Sequence, residues 1–440
     1  MHGFPRARAG RYAPGAAMGM IEILSITLVV AAVTAWINER FLGLPTTVGV
    51  MVLALLGSLA VVVLAPAGLR EQAREVLERI DFSHALLDVL LAFLLFAGAL
   101  HIKVDQLYAR KWLIGVLATV GVMVSTFVVG GTVLIALRLL GIEVEFIHCL
   151  IFGALISPTD PIAVLSILKR AGVPKSLETK IAGESLFNDG VGLVVFLVIL
   201  GIAGLGHTGE EALGLAGVAT MVLTEIGGAV VLGMAAGWVA YQMLLQVDQY
   251  KVEVMITLAL CAGLYSAATA LGASGPIAVV IAGLFIGNTG RRYAMSETTV
   301  ARLDVFWELI DEILNVVLFV LIGMEVLVLE FDGSTLIAGL IAIPLVLLAR
   351  LIAVGSAVGV LRRWRTFSPH VVKILTWGGL RGGISVALAL SLPMSFPQRN
   401  VIVTMTYVVV IFSIVVQGLT IGRLVSRLAP PELPGSEPVL

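Results

Sequence analysis

The chain has 440 residues, of which 59% are hydrophobic and only 13% are charged, and its mean hydropathy is +1.05. Soluble domains are on average about a quarter charged, so this composition excludes a soluble globular protein and indicates a polytopic membrane protein. The 28 basic and 29 acidic residues nearly cancel, which removes any charge-based argument for binding nucleic acid or an acidic partner.

Apolar runs fill almost the whole chain and decide its fold class. Each run has between 17 and 30 residues, which as a helix is long enough to cross a hydrocarbon core about 30 Å thick. We therefore expect an all-α polytopic membrane protein with about 13 transmembrane helices. The predicted spans lie near residues 20–37, 46–65, 84–103, 113–137, 146–168, 178–205, 216–245, 251–271, 274–290, 306–329, 334–361, 370–394 and 400–421.

These spans divide the chain into three parts. Residues 1–19 form an N-terminal tail, residues 20–421 a single transmembrane domain, and residues 422–440 a short cytoplasmic tail. The two cysteines, Cys149 and Cys261, both fall inside apolar runs, and their spacing suggests neither a metal site nor a disulfide framework.

Basic residues indicate the orientation of the chain in the membrane. The loops after odd-numbered spans and the C-terminal tail carry most of them: Arg40, Lys103, Arg110, Lys111, Lys169, Arg170, Lys175, Lys180, Arg291, Arg292, Arg302, Arg362, Arg363, Arg365, Arg423 and Arg427. The loops after even-numbered spans are nearly free of them, apart from Arg399 and the mixed-charge segment 70–81. By the positive-inside rule, the C-terminus is cytoplasmic and the N-terminus is outside.

The N-terminal tail conflicts with this orientation because it carries three arginines of its own. A true start at Met18 or Met20 would remove them, and intact-mass measurement of protein made from the native gene tests that hypothesis. A cleaved signal peptide fits less well, because Glu22 and a continuous long span follow without a clear small-residue cleavage site.

The fifth predicted span contains the sequence SPTDP in its middle. Pro158 and Pro161 remove backbone donors and disfavour helix at the residue before each, so we expect an unwound stretch at Thr159 and Asp160. Free carbonyls there can coordinate a cation, provided that they are buried in protein or line a cavity. The alternative is a proline kink with a snorkelling aspartate, which the short side chain and its depth disfavour.

The sixth span carries four polar residues within the sequence GESLFNDG. Ser185 and Asp189 are four residues apart, as are Glu184 and Asn188, so they occupy two adjacent stripes of one helix. Hard cations prefer such carboxylate, hydroxyl and carbonyl oxygens. The alternative is a polar network that ties spans together, and we expect both uses, with Glu184 structural and Asp189 functional.

Two arginines lie inside later apolar spans, and each requires a counter-charge or helix C-terminal carbonyls nearby. Glu184 is a candidate partner for Arg350 in span 11. Arg381 in span 12 is flanked by four glycines, which predict a second interrupted helix corresponding to span 5. Two interrupted spans in separate halves are typical of inverted-repeat secondary transporters with a site at the membrane midplane. The alternative for the glycines alone is close helix packing through small residues, but it does not explain the arginine.

Three segments in this order carry a family resemblance: SPTDPIAVLSILKRAGVPKSLETKIAGESLFNDGVGLVVF, FWELIDEILNVVLFVLIGME and LTWGGLRGGISVALALSLP. With them the chain resembles the monovalent cation:proton antiporter-1 family, and more closely the prokaryotic Na+/H+ antiporters of the NhaP type. The resemblance covers all thirteen spans. It implies exchange of Na+, and also Li+, for H+ in the plasma (inner) membrane, with no cofactor beyond the transported ions.

The resemblance also implies roles for the residues of the first interrupted region. Asp160 and Asp189 would bind the cation or the proton, Thr159 would contribute through its backbone, and Ser185 through its hydroxyl group. It further implies a homodimer in the lipid bilayer, with a six-helix core that moves against a dimerisation panel.

The supporting residues follow from the same resemblance. Glu184 would form a buried pair with Arg350, and Arg381 would balance the half-helix ends where the broken spans 5 and 12 cross. Asn188 stands where electrogenic relatives have a second aspartate, which points to electroneutral exchange of one cation for one proton.

Other functions remain as alternatives. A K+/H+ antiporter would use the same chemistry, and a cation channel would use the same carboxylates as a selectivity site without moving protons. An intramembrane enzyme is disfavoured, because the sequence places no nucleophile and base together at depth.

Overall fold

The computed structural model of the chain describes residues 20–66, 68, 84–104, 111–160, 175–205, 215–325, 332–363 and 370–428. The predicted tail 1–19, the mixed-charge segment 70–81, the second half of the predicted span 5 and the last twelve residues lie outside these ranges.

Helices make up all the regular structure of the described residues. The first half contains α1 (Met20–Ile37), α2 (Thr46–Leu64), α3 (His84–His101), α4 (Lys111–Val116), α5 (Val122–Leu139), α6 (Phe146–Ile156) and α7 (Lys175–Ile202). The second half contains α8 (Leu215–Val222), α9 (Gly228–Leu244), α10 (Tyr250–Ala270), α11 (Gly275–Phe285), α12 (Arg291–Tyr293), α13 (Glu297–Glu325), α14 (Gly333–Leu361), α15 (Val371–Trp377), α16 (Gly383–Leu390), α17 (Arg399–Phe412) and α18 (Gly418–Leu428). Single π-helical turns follow α1 and join α4 to α5, α8 to α9, α11 to α12 and α17 to α18.

Seven of the described helical segments are long and apolar enough to cross a membrane, and three shorter apolar helices accompany them. The all-α polytopic membrane fold is therefore confirmed, whereas the count of thirteen spans stays a prediction.

Two hydrophobic clusters organise the packing. The first, which we call the bundle cluster, joins residues of α5, α6, α7 and α14–α18 with parts of α1, α2 and α3. The second, the panel cluster, joins residues of α3, α9, α10 and α11. The long helix α13 belongs to both, because Leu303 and Trp307 lie in the panel cluster and Phe319 in the bundle cluster.

Two helices are broken near the centre of the bundle cluster. Helix α6 ends at Ile156 and is followed by non-helical residues 157–160, while residues 378–382 separate α15 from α16. The Asp160 backbone N–H donates to the Leu380 carbonyl at 2.7 Å, so the two breaks meet. The predicted interruption of span 12 is thus present at the predicted residues; in span 5 the helix ends where the break was predicted, and the residues after Asp160 lie outside the described ranges.

Two helices extend beyond their predicted ends. Helix α13 begins at Glu297 rather than near residue 306, and α18 continues to Leu428 rather than 421. Both extensions are amphipathic: in α18, Ile421 and Val425 are buried while Arg423 and Arg427 are exposed. A span read only from apolar runs ends where charged residues start, although a helix can continue with one polar face.

Candidate functional site

The middle of α7 brings four polar side chains into the bundle. Glu184 and Ser185 are each 2% exposed, Asn188 is fully buried and Asp189 is 5% exposed. Glu184 and Asn188 are four residues apart, as are Ser185 and Asp189, so the two pairs occupy adjacent stripes on one side of the helix, as the sequence predicted. Helix α7 therefore presents carboxylate, hydroxyl and amide groups to the interior of an otherwise apolar bundle.

Thr159 in the first break is bound to this side of α7 by three hydrogen bonds. The Asn188 Nδ2 group donates to Thr159 Oγ1 at 2.7 Å, and the Thr159 backbone N–H donates to Asn188 Oδ1 at 3.3 Å. The hydroxyl groups of Thr159 and Ser185 are 3.0 Å apart. Asn188 thus uses both ends of its amide to hold the unwound backbone against α7, a contact that sequence reasoning did not anticipate.

Asp189 in α7 and Asp160 in the break after α6 lie close enough for their charges to interact. Asp189 Oδ1 is buried and has no hydrogen-bond partner within the described part of the chain. The charges of Asp160, Glu184 and Arg381 all act on the Asp189 carboxyl group. Asp160 is half-buried. A buried carboxylate oxygen without a donor costs free energy unless a proton or a cation neutralises it.

Glu184 and Arg350 form a buried ion pair. Glu184 Oε1 lies 2.5 Å from Arg350 Nη1, and Arg350 Nη2 is 3.5 Å from the Leu375 carbonyl in α15. A Cβ atom at Gly379 would come within 2.6 Å of Arg350 Nε, so the missing side chain leaves room for the guanidinium group. The pair connects α7, α14 and the broken helix.

Arg381 spans the point where the two breaks meet. Its Nη1 group donates to the Pro158 carbonyl at 2.8 Å and to the Ser157 carbonyl, at the C-terminal end of α6. Its side chain is almost fully buried. A positive charge at the carbonyl end of a helix compensates the negative end of the helix dipole, which agrees with the expected balancing of half-helix ends.

Two polar residues near the breaks were not predicted from the sequence. Ser413 Oγ accepts a hydrogen bond from the Arg381 backbone N–H at 2.8 Å, and Gln417 Nε2 donates to the Trp377 carbonyl at 2.9 Å. The only signal in the sequence is that two neutral polar residues lie four apart in an apolar span, and this pattern carries no charge to attract attention.

Comparisons with known proteins agree on one family. Residues 28–427 match the family model described as "Sodium/hydrogen exchanger, transmembrane". The chain is 50% identical over 416 residues to the "Na(+)/H(+) antiporter NhaP" of Pseudomonas aeruginosa, covering 93% of this chain and 97% of that protein. It is 37% identical to the "Na(+)/H(+) antiporter NhaH" of Halobacillus dabanensis, covering 79% and 84% of the two chains.

A solved structure shares the fold. The sodium proton antiporter MjNhaP1 from Methanocaldococcus jannaschii superposes with a TM-score of 0.70 over 93% of this chain and 98% of that chain. The sequence identity is 21%, so this likeness concerns the architecture.

Proposed function

The chain belongs to the sodium/hydrogen exchanger family, and from this premise we propose that it is a membrane antiporter that exchanges Na+ for H+. Family membership and the Na+/H+ antiporter names of the relatives support Na+ as the substrate. The alternative of K+/H+ exchange gains no support from them. A transporter of this class is not an enzyme, and no cofactor enters the cycle.

One observation carries the assignment of the site. A buried Asp189 oxygen without a hydrogen-bond donor lies in the field of a second carboxylate, Asp160, where two broken helices meet. We assign cation and proton binding to these two carboxylates, with further oxygens from Thr159 and Ser185. The Thr159–Ser185–Asn188 hydrogen bonds support this assignment, because they hold the break that carries Asp160 against the helix that carries Asp189.

Competition for this site is sufficient to couple the two fluxes. A carboxylate that has lost its proton and holds no cation would carry an uncompensated charge through a low-dielectric region when the transporter changes its access. The site therefore crosses the membrane only when loaded with H+ or with Na+. Obligatory exchange needs no separate coupling device.

The remaining details are part of the same proposal. Exchange is electroneutral, one Na+ for one H+, because Asn188 adds no second titrating group beside Asp189, and Li+ is also transported. The protein lies in the plasma (inner) membrane, and its N-terminus is outside and its C-terminus in the cytoplasm; the distribution of basic residues supports this orientation.

We also propose a homodimer. Helix α9 keeps much of its apolar surface uncovered, including Val231 at 67% and Trp238 at 55% exposure. Such a face suits lipid or a second copy of the chain.

Proton flux in sealed proteoliposomes tests the proposed function. Purified protein is supplied in turn with Na+, Li+ and K+, with the membrane potential clamped. We expect proton movement driven by Na+ and Li+, and none in Asp189→Asn or Asp160→Asn, although both variants remain folded. Cation flux without proton movement would instead identify a channel, and exchange retained by either variant would remove that carboxylate from the mechanism.

A further inference from the structure

The last transmembrane helix is interrupted by a π-helical turn directly opposite the break of span 12. This turn, Ser413–Gln417, joins α17 to α18. Ser413 is fully buried and Gln417 is 2% exposed. Such π-helical turns inside α-helices are rare and occur frequently at functional sites.

Three polar side chains of this region bind both ends of the break. Ser413 Oγ accepts from the Arg381 N–H, and Gln417 Nε2 donates to the carbonyl of Trp377, the last residue of α15. One turn further, Thr420 Oγ1 accepts from Trp377 Nε1 at 2.9 Å. We call Ser413, Gln417 and Thr420 the ladder. They follow one another along this helix and bind Arg381 or Trp377, which lie near the two ends of the break.

These hydrogen bonds meet a need that the break creates. Backbone groups released from a helix in the membrane interior must be satisfied by protein or by a water-lined cavity. Apolar packing against the break is incomplete on this side, because a small cavity lies there, lined by Arg350, Gly379, Arg381, Gln417 and five apolar side chains. The ladder therefore adds hydrogen bonds that stabilise the conformation of the break, beside the packing of Leu380 in the bundle cluster.

The break in turn positions two groups of the ion site. Leu380 accepts the backbone N–H of Asp160, and the neighbouring Arg381 carries the guanidinium group that binds the Pro158 carbonyl. A displacement of residues 380–381 would be transmitted to the backbone on both sides of Thr159.

We propose that Ser413 and Gln417 are positioning residues for ion exchange: by fixing the break of span 12, they set the geometry of Asp160 and thereby the apparent affinity for Na+. This inference rests on the proposed Na+/H+ exchange. Neither residue contacts the transported ion. Their effect on transport passes through Trp377, Leu380 and Arg381.

The test compares variants of the ladder with a matched control on the same helix. Ser413→Ala and Gln417→Leu each remove one hydrogen bond to the break, and Ser413→Thr keeps the acceptor oxygen. Thr406→Val is the control, because Thr406 is equally buried but, among the described residues, its hydroxyl donates to the Ile402 carbonyl of its own helix and not to the break. We expect Ser413→Ala and Gln417→Leu to raise the apparent KM for Na+ about two- to ten-fold, the range that one hydrogen bond supplies. Ser413→Thr restores the wild-type value, and Thr406→Val leaves it unchanged.

Hydrogen–deuterium exchange of a peptide that contains residues 378–382 gives a second readout, independent of transport. Exchange should be faster in Ser413→Ala and Gln417→Leu than in wild type and Thr406→Val. Loss of protein yield or thermal stability with an unchanged KM and unchanged amide exchange would overturn the inference. If the wild type itself showed no Na+-dependent proton movement, the proposed function would fail, while amide exchange would still report whether the ladder holds the break.

Discussion

Gly382 lies in the second break, and a Cβ atom at this position would overlap the carboxyl group of Asp160. Glycine is required here because a side chain would not fit. The backbone conformation does not require it, since Gly382 is extended rather than left-handed. We expect Gly382→Ala to displace the Asp160 carboxylate and to lower Na+/H+ exchange about ten-fold or more, because small misplacements of reacting groups are costly. Initial rates in proteoliposomes, normalised to the amount of folded protein, measure the effect.

Gly355 provides the matched control for this substitution. It lies inside α14, and an added Cβ atom would meet no other atom within 4 Å. Gly355→Ala should keep the wild-type rate, because alanine is favoured over glycine in a helix. Equal rates in the two alanine variants would contradict the spatial role of Gly382.

Charge explains which individual residues could be found from the sequence. Glu184, Arg350 and Arg381 stand out because ions inside apolar spans are rare and require partners. The partners of the neutral residues were not foreseeable, since nothing in the sequence says that the Asn188 amide binds Thr159 or that Ser413 binds Arg381. Such contacts depend on how three separate helices pack.

At the scale of elements, the Glu184–Arg350 pair connects three helices through one contact. Glu184→Ala or Arg350→Ala leaves a buried charge without its partner, which costs about 3–5 kcal/mol. We expect both single variants to lower the melting temperature in detergent, whereas Lys373→Ala, which removes an exposed cation of α15, does not. The double variant should lose less than the sum of the single losses. Additive losses would argue against a coupled pair.

The breaks were predictable as elements, but the π-helical turns were not. Prolines around Thr159 and glycines around Arg381 disfavour helix locally, so the interruptions of spans 5 and 12 could be predicted from the local sequence. The turn Ser413–Gln417 contains no proline or glycine within its bounds. Its side chains contact the broken helix through Ser413 and Gln417, and such tertiary contacts cannot be read from the local sequence.

At the scale of the whole molecule, two hydrophobic clusters share the helices α3 and α13. The bundle cluster draws on α6, α7 and α14–α16, the helices that carry or flank the eight predicted site residues, whereas the panel cluster draws on none of these helices. Helix α13 contributes its first half to the panel cluster and its second half to the bundle cluster. The six-helix core beside a dimerisation panel, which only the family resemblance suggested, stays a prediction, since apolar runs do not reveal which helices pack together.

Electroneutrality is likewise a property of the whole transport cycle, and the final Na+ gradient measures it. If one Na+ exchanges for one H+, the cycle moves no net charge, so the Na+ ratio at equilibrium depends only on the pH difference. With a second proton per cycle, each cycle would move one net charge across the membrane. A potential of about 100 mV would then contribute about 2.3 kcal/mol per cycle, which changes the final Na+ ratio roughly 50-fold. We expect proteoliposomes at a fixed pH difference to reach the same Na+ ratio with the potential clamped near zero and near 100 mV of either sign. A ratio that follows the clamped potential would show that a second group titrates in the cycle, and Asn188 would then no longer explain the stoichiometry.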